Sequence, residues 1–219
     1  MLRFPVVQAY LVRGDTWFAL VDSGPLGSEM AILDALSAVS GGAGRLGQIV
    51  LTHCHKDHAG SAAALAAETG ATVLAGVDDA PVITGAADEP AAAITPEEQP
   101  FFDKIANLLP PAPAVGVDRL VREGDDLGWD TPTVVLNVPG HTPGSIAIHL
   151  PDHRLVFTGD NIASVNGRPI LGPFNVSRSE AIASFRKLAA LDVDVACFGH
   201  GDPLVASASA SLRASAARL

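Results

Sequence analysis

The run THCHKDHAG at residues 52–60 constrains this chain most, because it places three histidines and an aspartate within six consecutive positions. Neither a buried core nor a solvent-facing surface needs so dense a set of imidazoles and carboxylates. Zinc and iron, in contrast, bind both groups at about 2.0 to 2.2 Å. Side chains that must converge on one ion favour a loop over a regular strand or helix. The candidate metal ligands in this run are His53, His55, Asp57 and His58.

The flanking sequence supplies such a loop. Residues 47–51 (GQIVL) predict a buried strand, and residues 59–70 predict an Ala-rich helix that ends at its final glycine. The candidate ligands therefore fall at the carboxyl end of a strand, where α/β proteins usually build their sites. Cys54 alternates with the neighbouring histidines, so we expect its side chain to point away from the metal and into the packing.

Three further candidates lie along the rest of the chain, each in the same local setting. Each follows a short apolar, β-prone run and opens a loop that contains glycine. With the first run, the same plan occurs four times. The three candidates are His141 in VPGHTPGS, Asp160 in VFTGDN and His200 in CFGHGDP.

These motifs resemble the metallo-β-lactamase superfamily, and the resemblance covers essentially the whole chain. The pattern HxHxDH at 53–58 is followed by the other three residues in the family's order. The resemblance implies that His53, His55 and His141 bind one metal ion, that Asp57, His58 and His200 bind a second, and that Asp160 bridges the two. It also implies that Asp22, in LVDSG, lies beside the metal site and hydrogen-bonds a ligand.

The remaining pattern predicts strands bracketed by amphipathic helices, and thus two sheets packed face to face with helices outside. This matches the fold that the resemblance implies: α/β (α+β), a four-layer αββα sandwich of two mixed β-sheets with helices on the outer faces. Ser177 and Glu180 form a capping-box pattern before one helix. The predicted elements are a hairpin over 4–21, helices over 28–39, 178–190 and 206–218, and strands near 118–122, 132–138, 145–150, 154–158 and 193–199.

We expect one domain over residues 1–219, with 77–116 as a lid or insert, because that stretch is Pro-rich and lacks strand alternation. A short helix opening at Pro96 or Pro100 would either pack on the core or cover the substrate. The loop 161–178 is the second candidate wall. Candidate substrate-binding residues from these two segments are Phe101, Phe102, Asn161, Arg168, Asn175 and Arg178.

Composition limits the partners. Acidic residues outnumber basic ones by 24 to 14, which gives a formal charge of −10 and disfavours a nucleic-acid partner. Neither a signal-peptide pattern nor an apolar span of about 18 residues is present, so we expect no membrane partner.

Cys54 and Cys197, both beside candidate ligands, favour a reducing compartment, and we place the protein in the cytoplasm. The sequence indicates a small-molecule substrate and sets no oligomeric state.

The predicted function is a metal-dependent hydrolase in which a metal-bound hydroxide cleaves an ester, thioester or lactone-type bond of a small molecule. Asp57 is the predicted catalytic residue, because its carboxylate would orient the hydroxide. We expect two divalent ions, zinc first, with iron or manganese as alternatives. The chain stops about twenty residues after His200, so we expect a glyoxalase II-like protein without the helical C-terminal domain that holds glutathione.

Three other functions stay open at this point. The first is an oxidoreductase like the persulfide dioxygenases, which share HxHxDH and GHTPG but hold a single iron. The second is a lactam hydrolase, and the third is a non-catalytic metal-binding protein. The number and identity of the bound metal ions would separate the first of these from the predicted hydrolase.

Overall fold

The structure is a computed structural model that describes residues 1–42 and 44–219. The helices are α1 (Glu29–Ser40), α2 (Lys56–Ala59), α3 (Ala62–Thr69), α4 (Ala80–Ile83), α5 (Gln99–Ile105), α6 (Arg178–Ala189) and α7 (Ala208–Ala216). The strands are β1 (Leu2–Arg3), β2 (Gln8–Arg13), β3 (Trp17–Val21), β4 (Arg45–Leu51), β5 (Thr72–Gly76), β6 (Arg119–Val121), β7 (Val134–Asn137), β8 (Ile146–Leu150), β9 (Leu155–Phe157), β10 (Ile162–Val165), β11 (Arg168–Leu171) and β12 (Val195–Cys197).

The strands form two large mixed sheets and one small hairpin. The larger sheet has the order β1-β2-β3-β4-β5-β6, in which β1 to β3 are antiparallel and β3 to β6 are parallel. The second sheet has the order β12-β9-β8-β7, and only β12 and β9 are parallel. The hairpin pairs β10 with β11.

Side chains that alternate along the strands divide the core into three layers. On β3, Phe18 and Leu20 pack towards α1 and α3, whereas Ala19 and Val21 face the other sheet. On β9, Val156 packs towards α6 and α7, and its neighbours face the space between the sheets. The middle layer is therefore shared by both sheets, and the outer layers hold the helices. This is the predicted αββα sandwich.

The strand directions bring the candidate ligands to one edge of the sandwich. Strands β7, β9 and β12 run in the same direction, because β7 and β9 are both antiparallel to β8 and β12 is parallel to β9. Their carboxyl ends lead to His141, Asp160 and His200. The end of β4 meets the same edge, where the Ile146 N–H donates to the carbonyl of Thr52 at 2.9 Å.

The helix predicted over 59–70 begins earlier and is broken in two. Asp57 and His58 lie on the short helix α2, and α3 ends at Gly70, which has the left-handed conformation (φ 69°). At Gly60 the chain passes directly against the backbone of Pro25 and Leu26. The Ser61 hydroxyl then donates to the Pro25 carbonyl at 2.6 Å, which fixes the break.

Two other expectations are corrected. Ser177 is the N-cap of α6 but its side chain makes no capping bond, and its own N–H, which Glu180 would cap, donates to the Gly140 carbonyl at 2.9 Å instead. The segment 161–178, expected to be a loop, contains the hairpin β10–β11. None of the helices in residues 1–42 and 44–219 has the length and apolar character needed to cross a membrane.

Candidate metal centre

The first group of converging side chains consists of three histidines from two loops. His53 Nε2 lies 3.1 Å from His55 Nδ1, which in turn lies 2.9 Å from His141 Nε2. His53 and His141 are almost fully buried, and His55 lies at the surface end of the group. Three imidazole nitrogens so close together can all face a single cation. The residues predicted to share the first ion are thus brought together.

The second group joins the first through Asp160. One carboxylate oxygen, Oδ2, lies 2.8 Å from His200 Nε2 and 3.7 Å from His141 Nε2, while Oδ1 lies 3.3 Å from His58 Nε2. Asp57 Oδ2 lies 3.4 Å from His200 Nε2 and 3.8 Å from His58 Nε2. Asp160 therefore contacts members of both groups, as a bridging ligand would.

Asp22 supports the second group through a contact with the ring nitrogen of His58 that does not face the cluster. His58 Nδ1 lies 2.8 Å from Asp22 Oδ2, so the N–H at this position can donate to the carboxylate and leave Nε2 facing the cluster. The same carboxylate accepts from the backbone N–H of Thr52 at 2.8 Å. Asp22 itself has φ 57°, an uncommon value for a residue with a side chain. The contact expected of Asp22 is present.

Three residues whose supporting contacts were not predicted from the sequence are Asp79, Glu89 and Val6. The buried Asp79 carboxylate accepts from the N–H groups of Cys54 and Gly144 at 2.8 and 2.7 Å, and from the Thr142 hydroxyl at 2.7 Å. It thereby ties the first ligand loop to the loop of His141. Asp79 follows strand β5 in the same way that each candidate ligand follows a strand. This position after a strand was the sequence signal that could have identified Asp79. The other two residues contact ligands directly: Glu89 Oε1 lies 3.2 Å from His55 Nε2, and the carbonyl of Val6 lies beside His200 Nδ1.

Burial and charge separate the histidines into two kinds. Burial lowers the pKa of His141 to about 3, with a further lowering by His55, and His53 is likewise held well below the usual histidine range. Burial also opposes the charged form of His58 and His200. There, however, the nearby carboxylates, Asp160 first, outweigh it, and the pKa of His200 rises to about 10.

The donor set fits divalent cations. Among the described residues, His58 Nε2 and Asp160 Oδ1 are buried atoms that face each other without a hydrogen bond to any partner. Buried polar atoms are nearly always satisfied. A cation between them would satisfy both atoms and would replace the protons that the carboxylates otherwise hold on His58 and His200. The groups that could hold an ion are His53, His55 and His141; His53, His58 and Asp160; and Asp57, His58 and His200.

The residues predicted to bind substrate lie in three different settings. Asn161 and Asn175 are buried, and their amide nitrogens donate to backbone carbonyls. Arg168 and Arg178 are exposed, on β11 and at the start of α6. Phe101 and Phe102 lie on α5 and contact a third ring, Phe174. A substrate role for all six remains a prediction.

The fold and the cluster together define a class, an αββα sandwich with candidate ligands for metal ions at one edge. The chain belongs to the metallo-β-lactamase superfamily, whose sequence profile matches residues 2–200. The family and the fold predicted from the sequence are thus confirmed.

Individual relatives agree with this assignment. A hydroxyacylglutathione hydrolase of Fuscovulum blasticum is 33% identical over 192 residues, which cover 84% of this chain and 62% of the relative. A probable metallo-hydrolase of Bacillus subtilis, YflN, is 27% identical over 205 residues and covers 85% of this chain and 76% of that protein. The chain spans about half to three fifths of the length of the Fuscovulum blasticum hydrolase and of two hydroxyacylglutathione hydrolases of Cereibacter sphaeroides.

Solved structures show the same fold. TTHA1623, whose crystal structure is described as a di-iron-bound form, superposes with a TM-score of 0.69 at 27% identity and covers 93% of this chain and 92% of that chain. The B3 metallo-β-lactamase BLEG-1 superposes with a TM-score of 0.70 at 21% identity, covering 91% and 90% of the two chains. At this identity the second likeness concerns the fold alone.

Proposed function

We propose that this chain is a metal-dependent hydrolase that cleaves a thioester bond of a small molecule, with ester and lactone bonds as chemically related alternatives. The observation that carries the proposal is the convergence of seven imidazole and carboxylate side chains, linked through Asp160, at one edge of the sandwich. Relatives that bear the name hydroxyacylglutathione hydrolase match this same region, and a thioester is the bond that such a name implies.

The proposed ligands are those that the resemblance implied, with Asp160 shared between the two ions. Bound divalent ions lower the pKa of water to near neutrality and polarise a substrate carbonyl. Zinc is proposed as the metal, because neutral imidazole and carboxylate are ligands that it binds well. Iron is the alternative, supported by the di-iron form of TTHA1623.

Asp57 is proposed to hold and orient the attacking water. Burial opposes its ionisation, but His58 and His200 outweigh that effect and lower the pKa of Asp57 to about 2. It is therefore an ionised acceptor at neutral pH. Its side chain is 20% exposed, compared with 7% for Asp160, so Asp57 reaches the open side of the cluster. An acceptor there can take a proton from water during attack on a carbonyl.

The proposed location is the cytoplasm. Cys54 and Cys197 are free and buried. Burial raises the pKa of Cys197 to about 12 and also raises that of Cys54, so both thiols stay protonated near neutral pH. Free thiols beside a metal centre suit a reducing compartment.

A chelation experiment tests the proposed activity. We expect the zinc-loaded protein to hydrolyse a small acyl thioester, to lose that activity with its metal in excess chelator, and to regain it with zinc. Asp57→Asn should lower kcat/KM by roughly a hundredfold or more, because the amide is a poorer proton acceptor. The matched control is Asp34→Asn on the exposed face of α1, which should hydrolyse the thioester at the parental rate. Activity that survives verified metal removal would contradict the proposal.

A further inference from the structure

The segment that leads into and out of α5, residues 89–106, contacts the loops that carry the candidate ligands. Near its start, Glu89 contacts His55 at 3.2 Å. Near its end, the carbonyl of Ala106 accepts from Lys56 Nζ at 2.7 Å, and Lys56 directly precedes Asp57. Between these two points, the Ala93 N–H donates to the carbonyl of Asn175 at 2.9 Å. The segment is therefore attached to the loop that carries His55 and Asp57, and also to Asn175.

The short loop that carries Phe174 is attached to the ligand loops as well. Before it, the Gly172 N–H donates to the carbonyl of Asn161 at 3.1 Å, next to Asp160. After it, the Val176 N–H donates to the carbonyl of His141 at 3.1 Å. The loop is thus attached to two ligand-bearing loops. Phe174 lies between these attachments with φ 61°, a strained value for an aromatic residue.

Three phenylalanine rings meet where the segment and the loop face each other. Phe101 stacks on Phe174 with 5.5 Å between ring centroids, and Phe102 approaches the same ring edge-on at 5.3 Å. The Phe174 N–H donates to Glu98 Oε1 at 3.2 Å, which joins the loop to the start of α5. Yet α5 buries none of its side chains, and Phe101 remains 54% exposed. The rings therefore do not serve the core.

We propose that Phe101, Phe102 and Phe174 form an apolar wall that binds the acyl group of the substrate, so that the preferred substrates carry an apolar acyl chain. The proposal rests on the proposed hydrolase function. The occupant follows from the attachments of the wall: its two sides are bonded to the loops that hold His55, Asp57, His141 and Asp160. We therefore infer that the acyl group of a substrate bound at the metal centre contacts the rings. Aromatic side chains have large apolar surfaces, so exposed rings bury much apolar area when an apolar group packs against them.

Two thioesters with the same thiol test the wall. We expect zinc-loaded protein to hydrolyse S-octanoyl-N-acetylcysteamine with a kcat/KM roughly tenfold or more above that for the S-acetyl analogue, since burial of only about two extra methylenes would suffice. Phe101→Ala should reduce this ratio several-fold. The change keeps a strong helix former at an exposed position, so folding should persist. Phe174→Leu should also reduce the ratio.

Leu108→Ala is the matched control, because it removes another exposed apolar side chain, 64% exposed, just after α5. It should leave the octanoyl-to-acetyl ratio within about twofold of the parental one. A parental ratio near one, or an equal fall in Leu108→Ala and Phe101→Ala, would overturn the proposal.

A binding measurement separates this inference from the proposed function. Calorimetry of octanoate and acetate, the acyl products, should show octanoate binding that weakens several-fold in Phe101→Ala and not in Leu108→Ala. If neither thioester is hydrolysed but octanoate binding retains this dependence, the proposed hydrolase function is wrong and the acyl-binding role of the three rings is supported. If hydrolysis occurs but neither the rate ratio nor octanoate binding depends on Phe101, the acyl-binding role is wrong and the hydrolase function is supported.

Discussion

At the scale of single residues, Asp79 shows how a buried carboxylate can organise a site without binding the metal. Its two oxygens accept from Cys54, Thr142 and Gly144, and so connect the ligand loop after β4 with the loop of His141. We expect Asp79→Asn to lower the free energy of unfolding by about 1 to 3 kcal/mol, because the amide group turns a donor towards buried N–H or O–H groups. Urea denaturation measures this change.

The adjacent Asp78 provides the control, because its side chain is exposed. Asp78→Asn should change the free energy of unfolding by less than about 0.5 kcal/mol. If both variants unfold at the same urea concentration as the parent, the three bonds to Asp79 do not contribute to stability in the way the geometry indicates.

Removal of the bridging residue should differ from removal of a terminal one. Asp160 contacts both groups of ligands, whereas His141 belongs to the first group and His200 to the second. Asp160→Ala also takes away negative charge between two cations, whose repulsion is strong in a poorly screened site. We expect Asp160→Ala to bind neither ion tightly at limiting zinc, and His141→Ala and His200→Ala each to keep more than half of the metal.

Metal titration by elemental analysis compares these three variants. Asp160→Ala that binds two ions as tightly as the parent would show that the carboxylate is not shared, and the dinuclear arrangement proposed above would then need another bridge.

The sequence identified the cluster residues because four of them lie within six consecutive positions and each of the other three follows a predicted strand. Imidazoles two residues apart at a strand end stay on one side in any extended backbone, and the later candidates each follow a strand. It did not identify Asp79 or Glu89. Their partners lie far away along the chain, and for Asp79 they include backbone N–H groups, which leave no mark in a sequence. The same holds for Val6, which contributes only its carbonyl.

At the scale of elements, the start of α6 is a place where the sequence pattern and the structure disagree. Ser177 occupies the N-cap, but its hydroxyl caps no backbone group and lies only near the Ser179 hydroxyl, at 3.5 Å. We therefore expect Ser177→Ala to cost less than the roughly 1 kcal/mol that is typical of a lost N-cap. Urea denaturation tests this, with Ser184→Ala as the comparison.

Ser184 lies on the same helix and its hydroxyl donates to the carbonyl of Pro139 at 2.7 Å in a partly buried setting. Its removal should cost more than that of Ser177, since it leaves this carbonyl without its donor. The reverse order would mean that the capping box forms in solution after all.

The hairpin β10–β11 was missed although a signal for it was present. Asn166 and Gly167 both have positive φ, 52° and 73°, which suits a two-residue turn between paired strands. Proline, here at position 169, is uncommon inside a paired strand. An edge hairpin tolerates a proline where the backbone nitrogen points away from the partner strand, because that nitrogen makes no hydrogen bond between the strands. Most other elements were predicted within a few residues, because alternation and glycine positions specify them locally.

At the scale of the whole molecule, metal binding should stabilise the fold. The cluster gathers two carboxylates and five buried or partly buried imidazoles in a chain of formal charge −10, and ions that bind only the folded state raise its stability by mass action. We expect zinc to raise the Tm by several degrees in a saturable way. A chelator should reverse the shift, and scanning calorimetry measures it.

Asp160→Ala is again informative here, because it should lose most of this zinc-dependent rise while Asp34→Ala keeps it. A parental Tm that is the same with zinc and with chelator would indicate that the folded chain binds the ion weakly.

The middle layer of the sandwich has a mechanical consequence. The loops of His53, His55, Asp57 and His58 extend from the six-stranded sheet, whereas His141, Asp160 and His200 extend from the four-stranded one. The thickness of the apolar packing between the sheets, which includes Val50 and Ile148, therefore acts as a gauge that sets how far apart the two halves of the ligand set stand. Each proposed ion takes ligands from both sheets, and a protein interior is close-packed and hardly compressible. The distance between the ligands that face each other across an ion site is therefore set by residues that never touch the ion.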